Sequence, residues 1–244
     1  MYDQVDMERL FESLGYDVEV LRLIADQTKV IDGTVDPAPI EMVSGKQGAV
    51  VGVTATIRVG DGSGSGQAEE ILSKISALAF LSCFKILDGI VDWILECNCS
   101  AGVLSRAAWR FEDKLHDINK SELVLPPLLV QQDWLKGISF CLYRRLVPFR
   151  NEIVHRHQYR VSHGVLVVLD TRSEDRCELS IDRHRLGTLA RYAVGLAGCL
   201  SAQVGLDQHM SLLMRYYADQ LADIHGMDKF DQKAPLVVHV ELSP

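Results

Sequence analysis

Residues 67–97 read QAEEILSKISALAFLSCFKILDGIVDWILEC, and the reading of this stretch decides the fold. Its apolar positions, among them Ile71, Ile75, Leu78, Leu81, Ile86, Ile90 and Ile94, recur at the three- and four-residue spacing of a helix. Apolar side chains cover much of its circumference, so it is expected at the centre of a bundle. Upstream lies GDGSGSGQ, residues 60–67, which reads as a flexible polar loop. Before that loop, a short helix is expected over Asp6–Leu14, ended by Gly15. Tyr16–Ile31 is ambiguous. The β-branched stretch Ile40–Val59, punctuated by Gly48 and Gly52, suggests one or two strands.

Downstream, Ser100 is placed to cap a second helix reaching about His116. Pro126-Pro127 then interrupts the chain, and a third helix is expected from about Leu129 to His157. The period changes next. Tyr159–Asp170 and Arg176–Ile181 read as two strands joined by Thr171–Asp175. Asp182 is placed to cap a fourth helix, Arg183–Val204, and a fifth covers Asp207–His225. The tail Leu236–Leu242 is strand-like. The expected class is mainly α: a helical bundle over 67–230 with a hairpin at about 159–182, and a small α/β segment, 1–66, packed on it. Residues 231–244 form the tail.

The chain has 244 residues, 48% hydrophobic and 24% charged. That composition builds a sizeable core and argues against a disordered chain or a disulfide-stapled miniprotein. Twenty-five basic residues face 33 acidic ones, a net charge of −8. Such a chain does not coat nucleic acid indiscriminately, so any anion site has to be local. The N-terminus lacks a basic start followed by an apolar run, so no signal peptide is expected. Runs such as Val165–Leu169 fall far short of the ~18–20 residues that span a bilayer. Cys97 and Cys99 form C-x-C rather than a zinc or thioredoxin-like pair. Reduced thiols in a cytoplasmic protein without a membrane anchor are the expectation.

Charge is concentrated in one place. Between Arg144 and Arg160 lie Arg144, Arg145, Arg150, Arg156 and Arg160, with Glu152 the only acid, a local net of +4. His155 and His157 are in the same stretch. Arginine is permanently charged, and its planar fork matches phosphate oxygens. Taken singly, Arg144, Arg145 and Arg160 are expected to pair with acids elsewhere. Arg150, Asn151 and His155 together suit RNA chemistry. Histidine moves a proton near neutral pH, arginine holds nonbridging oxygens, and asparagine orients. On an α-helix, Asn151 and His155 are neighbours, whereas Arg150 and His155 stand about 140° apart. The arginine must then reach around, or a second subunit must complete the site.

Arg150-Asn151-Glu152-Ile153-Val154-His155 resembles the R-N-x-x-x-H motif of HEPN-domain proteins, and the long helix 67–97 fits the all-α bundle of that family. The resemblance covers roughly 67–225. It implies a metal-independent endoribonuclease, acting as a prokaryotic toxin or defence effector. Arg150, Asn151 and His155 are the implied catalytic residues at a homodimer interface, and the implied products are a 2′,3′-cyclic phosphate and a 5′-hydroxyl. Arg144, Arg145, Arg156, His157 and Arg160 are candidate RNA-phosphate contacts. RNA is the expected partner, with an antitoxin or other regulatory protein possible, and no cofactor is expected. The alternative is a non-catalytic HEPN-like module that dimerises or binds a nucleotide or protein.

Other features read more plainly. His155, His157 and His163 lack companion ligands at metal spacing. The glycines at 60–66 lack the G-K-[ST] of a phosphate loop. His184 reads as a surface residue at a helix start. Trp93, Trp109, Trp134 and Tyr216-Tyr217 are expected in core or interface positions.

Overall fold

The computed structural model describes residues 2–31, 65–171, 177–202 and 206–227. The fold is mainly helical, with a small three-stranded antiparallel sheet. Helix α2, Ser65–Ser100, contacts α1 (Gln4–Ile31), α3 (Phe111–Asp117), α5 (Asp133–Asn151) and α6 (Arg183–Ser201). Its central place follows from its composition: Phe80, Cys83, Ile86, Ile94 and Leu95 are all fully buried. Residues 65–67, read above as the end of a loop, form its first turn. The strands expected at Ile40–Val59 and the tail Leu236–Leu242 lie outside the described residues.

Helix α1 does not stop at Gly15 but runs on to Ile31. Met7, Leu10, Leu14 and Leu21 are buried along one side, and the helix packs on α2 and α6. Gly15 is exposed, with nothing near the position a Cβ would take. Its intrinsic cost, about 1 kcal/mol, is therefore outweighed by the buried stripe on the opposite side.

The second helix expected from Ser100 is reduced to α3. After α2 the chain turns through Gly102 at φ +74°, a conformation that suits glycine. Val103 and Leu104 donate back to the Asn98 carbonyl at 2.9 and 3.3 Å. The Asn98 side chain, fully buried, donates to the carbonyls of Ile94 and Val124, both at 2.8 Å, and to Tyr2 Oη at 3.3 Å; it accepts from Val124 N–H at 2.9 Å. Replacing Asn98 with alanine orphans the Val124 N–H and leaves a gap beneath the turn. The expected loss is about 1–3 kcal/mol, measurable by urea denaturation.

Pro127 opens α4, Pro127–Gln131, and Gln132 leaves helical geometry before α5 begins. The third helix is therefore split at its start. Pro148 lies inside α5 and does not begin a new helix.

The first expected strand is itself a hairpin. Strands β1 (Tyr159–Ser162) and β2 (Val165–Leu169) are joined at His163-Gly164, with φ of +50° and +72°. Two positive-φ residues make the tight turn whose twist matches antiparallel strands. Strand β3, Glu178–Asp182, pairs with β2. The register stacks Val161, Leu166 and Ile181 in one row. Asp182 caps α6 by accepting from Arg185 N–H at 2.8 Å, and Asp207 caps α7 (Gln208–Gln220) by accepting from Met210 N–H at 2.7 Å. A short α8, Ala222–His225, follows. Among the described residues, no helix is long and apolar enough to cross a membrane.

Candidate active site

Helix α5 ends at Asn151, and the backbone widens into one π-turn, Glu152–Arg156. The Glu152 carbonyl accepts from His157 N–H and, at 3.2 Å, from Gln158 N–H. His157 adopts φ +52°, the left-handed residue that stops a helix. π-Turns of this kind are rare and collect at functional positions.

The widened turn corrects the expected separation of Arg150 and His155. In an i→i+5 turn, residues five apart come over one another, as residues four apart do in an α-helix. Arg150 Nη1 donates to Asn151 Oδ1 at 3.0 Å and meets His155 Nε2 at 3.0 Å. A guanidinium has only donors. In this contact Nε2 is therefore the acceptor, and the ring proton sits on Nδ1. All three motif residues meet within one chain. His155 is exposed, while Arg150 and Asn151 are half-buried.

A second set of contacts holds the turn in place. Glu152 is buried, with its carboxylate 3.3 Å from Arg156 Nη1 and 3.2 Å from Thr171 Oγ1. Arg156 also donates to Thr171. The register that pairs Tyr159 with Val168, continued past the strand ends, carries Thr171 opposite Arg156. The hairpin thus closes on the end of α5. Arg156, a candidate phosphate contact by sequence, is instead committed to this frame.

The other arginines depart from the expected pairing with acids. Among the described residues, no carboxylate lies within ion-pair distance of Arg144, Arg145, Arg150 or Arg160. Arg144 donates to Asn119 Oδ1 at 3.3 Å, and Arg145 packs against Gly226. Arg160 and His157 are exposed. The one acid in the stretch, Glu152, is turned inward, so the surface charge here is basic.

Beneath Arg150 lies a support that the sequence reading did not single out. The guanidinium sits 4.9 Å from the centroid of Phe111. Lys114 Nζ approaches the same ring at 5.4 Å and is paired with Asp88 at 2.7 Å and Asp92 at 2.6 Å. Tyr143 Oη donates to Asp88 at 2.7 Å, and its ring stacks on Phe84. Burial, reinforced by Asp88, pushes the Tyr143 phenol well above its ordinary range. Burial also raises Asp92, with Lys114 opposing. One signal was available: two acids four residues apart, Asp88 and Asp92, interrupt an apolar helix and share a face. Their lysine, from a distant helix, was not legible.

Trp93 is buried against Tyr2 at 4.9 Å, as expected for a core residue. Trp109 is 76% exposed, so of the core or interface positions expected for it the core is ruled out. All six cysteines are unpaired; burial pushes the Cys97 thiol up to about 12 and Cys199 up to about 11. Thiols raised in this way are poor nucleophiles. Among the described residues, no group of three or more His, Cys, Asp or Glu is placed to hold a metal ion. The chain matches no protein-family model, no curated protein and no solved structure. The case for an activity therefore rests on the chemistry of the site itself.

Proposed function

We propose that this chain is a metal-independent endoribonuclease of HEPN type, with Arg150, Asn151 and His155 acting on one RNA phosphate. The observation that carries this reading is the contact of Arg150 with both Asn151 and His155, on an exposed basic surface whose arginines meet no carboxylate among the described residues other than the inward Glu152. Bonds from a guanidinium to an anion are roughly twice as strong as those to neutral acceptors. A phosphate arriving at this surface draws Arg150 away from the imidazole. His155 Nε2 is then free to take the proton of the 2′-hydroxyl. The 2′-oxygen bonds to phosphorus, the bond to the 5′-oxygen breaks, and the leaving oxygen takes a proton from an acid. A 2′,3′-cyclic phosphate and a 5′-hydroxyl result. Arg150 stabilises the charge that builds on the nonbridging oxygens. Asn151 holds the guanidinium through its carbonyl oxygen.

The reaction uses an acid as well as a base. Two copies related by a two-fold axis supply two imidazoles to one cleft, and closed two-fold dimers are the commonest homo-oligomers. Geometry no longer demands the partner, since one chain joins Arg150 to His155. Acid–base chemistry still favours it. In a cell such a nuclease acts as a toxin or defence effector, so expression in a bacterial host is expected to arrest growth.

The test is incubation of the purified protein with single-stranded RNA, with analysis of the new ends. Arginine and histidine supply the charge and the proton transfer, so cleavage should be unchanged in EDTA and should leave cyclic phosphates. Loss of cleavage in EDTA, with recovery on adding a divalent ion, would overturn the mechanism.

A further inference from the structure

We infer that Trp109 is a stacking platform for a base of single-stranded RNA, one step along the strand from the phosphate at Arg150. This rests on the reading of Arg150 as the phosphate site. Trp109 is the most exposed large apolar side chain among the described residues, at 76%. An indole left in water has no packing reason to be there. The Arg110 guanidinium lies 4.9 Å from its centroid and steadies the ring.

Its position relative to Arg150 is set by the backbone. Arg110 is extended, with φ −86° and ψ 141°, and is the one residue between Trp109 and the start of α3 at Phe111. Phe111 carries the Arg150 guanidinium at 4.9 Å. The Cα atoms of Trp109 and Phe111 are therefore at most about 7 Å apart. An exposed π-face next to a guanidinium is what a base and its phosphate need together.

Trp109 also walls a cleft of about 430 Å³ between residues 103–109 and α3. Arg150 and His155 do not line this cleft, so base and phosphate would occupy neighbouring sites. Arg106 and Lys120 in the cleft face three carboxylates, Asp113, Asp117 and Glu122. A cleft without excess positive charge suits a base better than a phosphate, whereas the arginines on α5, which meet no carboxylate among the described residues, suit the phosphate. In a duplex the bases are stacked on each other and unavailable to an indole, so the occupant is single-stranded.

The test uses His155→Ala protein, which is expected to bind without cutting, and a short fluorescein-labelled single-stranded RNA read by anisotropy. Adding Trp109→Ala should weaken binding roughly 5- to 150-fold, the range for loss of one stacked base. Trp109→Phe should restore most of it, and affinity for duplex RNA of the same sequence should not change. Equal affinity with and without Trp109, or an equal loss on single-stranded and duplex RNA, would overturn the platform. The two readings fail separately. Cleavage by the unmodified protein with no effect of Trp109→Ala on binding or KM removes the platform alone. A Trp109-dependent, single-strand-selective affinity without cleavage keeps the platform and removes the ribonuclease.

Discussion

His155→Ala protein is expected to fold normally and to lose RNA cleavage by about 10²–10⁴-fold, the usual contribution of one positioned proton-transfer group. The side chain is exposed, so its removal opens no cavity. Its Nε2 meets Arg150 at 3.0 Å, and that contact can be lost without orphaning a buried donor, because the guanidinium reaches solvent. Arg150→Lys should also fail badly. A lysine keeps the charge but cannot both donate to Asn151 Oδ1 and present a fork to a phosphate. Initial rates on one RNA, alongside circular dichroism, separate catalysis from folding. If His155→Ala cleaves at the unmodified rate, the site is not catalytic. The motif would then be structural, and the non-catalytic module would become the better reading.

The grouping of Arg150, Asn151 and His155 was legible because residue type and local charge carry chemistry directly. Their phase was not. Five-residue spacing on an α-helix puts Arg150 and His155 far apart, and only the widening of the turn after Asn151 brings them together. That widening leaves no mark in an apolar period, because it depends on Glu152 closing on Thr171 from a strand hairpin nineteen residues on. A similar limit explains the missed turn at His163-Gly164. The pair lacks the Asn-Gly or Asp-Gly signature, yet both residues take positive φ. Helix α2 was read to within a few residues because its period is dense and apolar. Helix α1 was cut short because a lone glycine was weighed as a stop, whereas the buried stripe that carries the helix past it is a tertiary fact.

Lys114→Met is expected to destabilise the fold by about 1–3 kcal/mol at pH 7, the cost of removing a charged hydrogen-bond partner from two carboxylates that are only partly buried. Lys114 is buried between Asp88 and Asp92, at 2.7 and 2.6 Å, and methionine replaces its stem without its charge. The two carboxylates are then left beside each other without a cation. The pH dependence gives the signature. Asp92 is already raised by burial with Lys114 opposing, so removing the lysine raises it further. A carboxyl whose pKa is higher folded than unfolded binds more protons in the folded state, so stability increases as pH falls through that range. The deficit of Lys114→Met should therefore be largest at neutral and higher pH and shrink as pH falls through the carboxylate range, as read by urea denaturation at each pH. A constant deficit would mean that packing, not charge, is what Lys114 contributes. The same substitution should reach the site, because Lys114 sits against the Phe111 ring that carries Arg150. Lys114→Met together with Asp88→Asn and Asp92→Asn removes the charges as a set and should recover much of the stability, since neutral replacements relieve the uncompensated pair. If cleavage recovers with it, the triad acts only by holding Phe111 in place. If stability returns and cleavage does not, the buried charges also tune the field at Arg150.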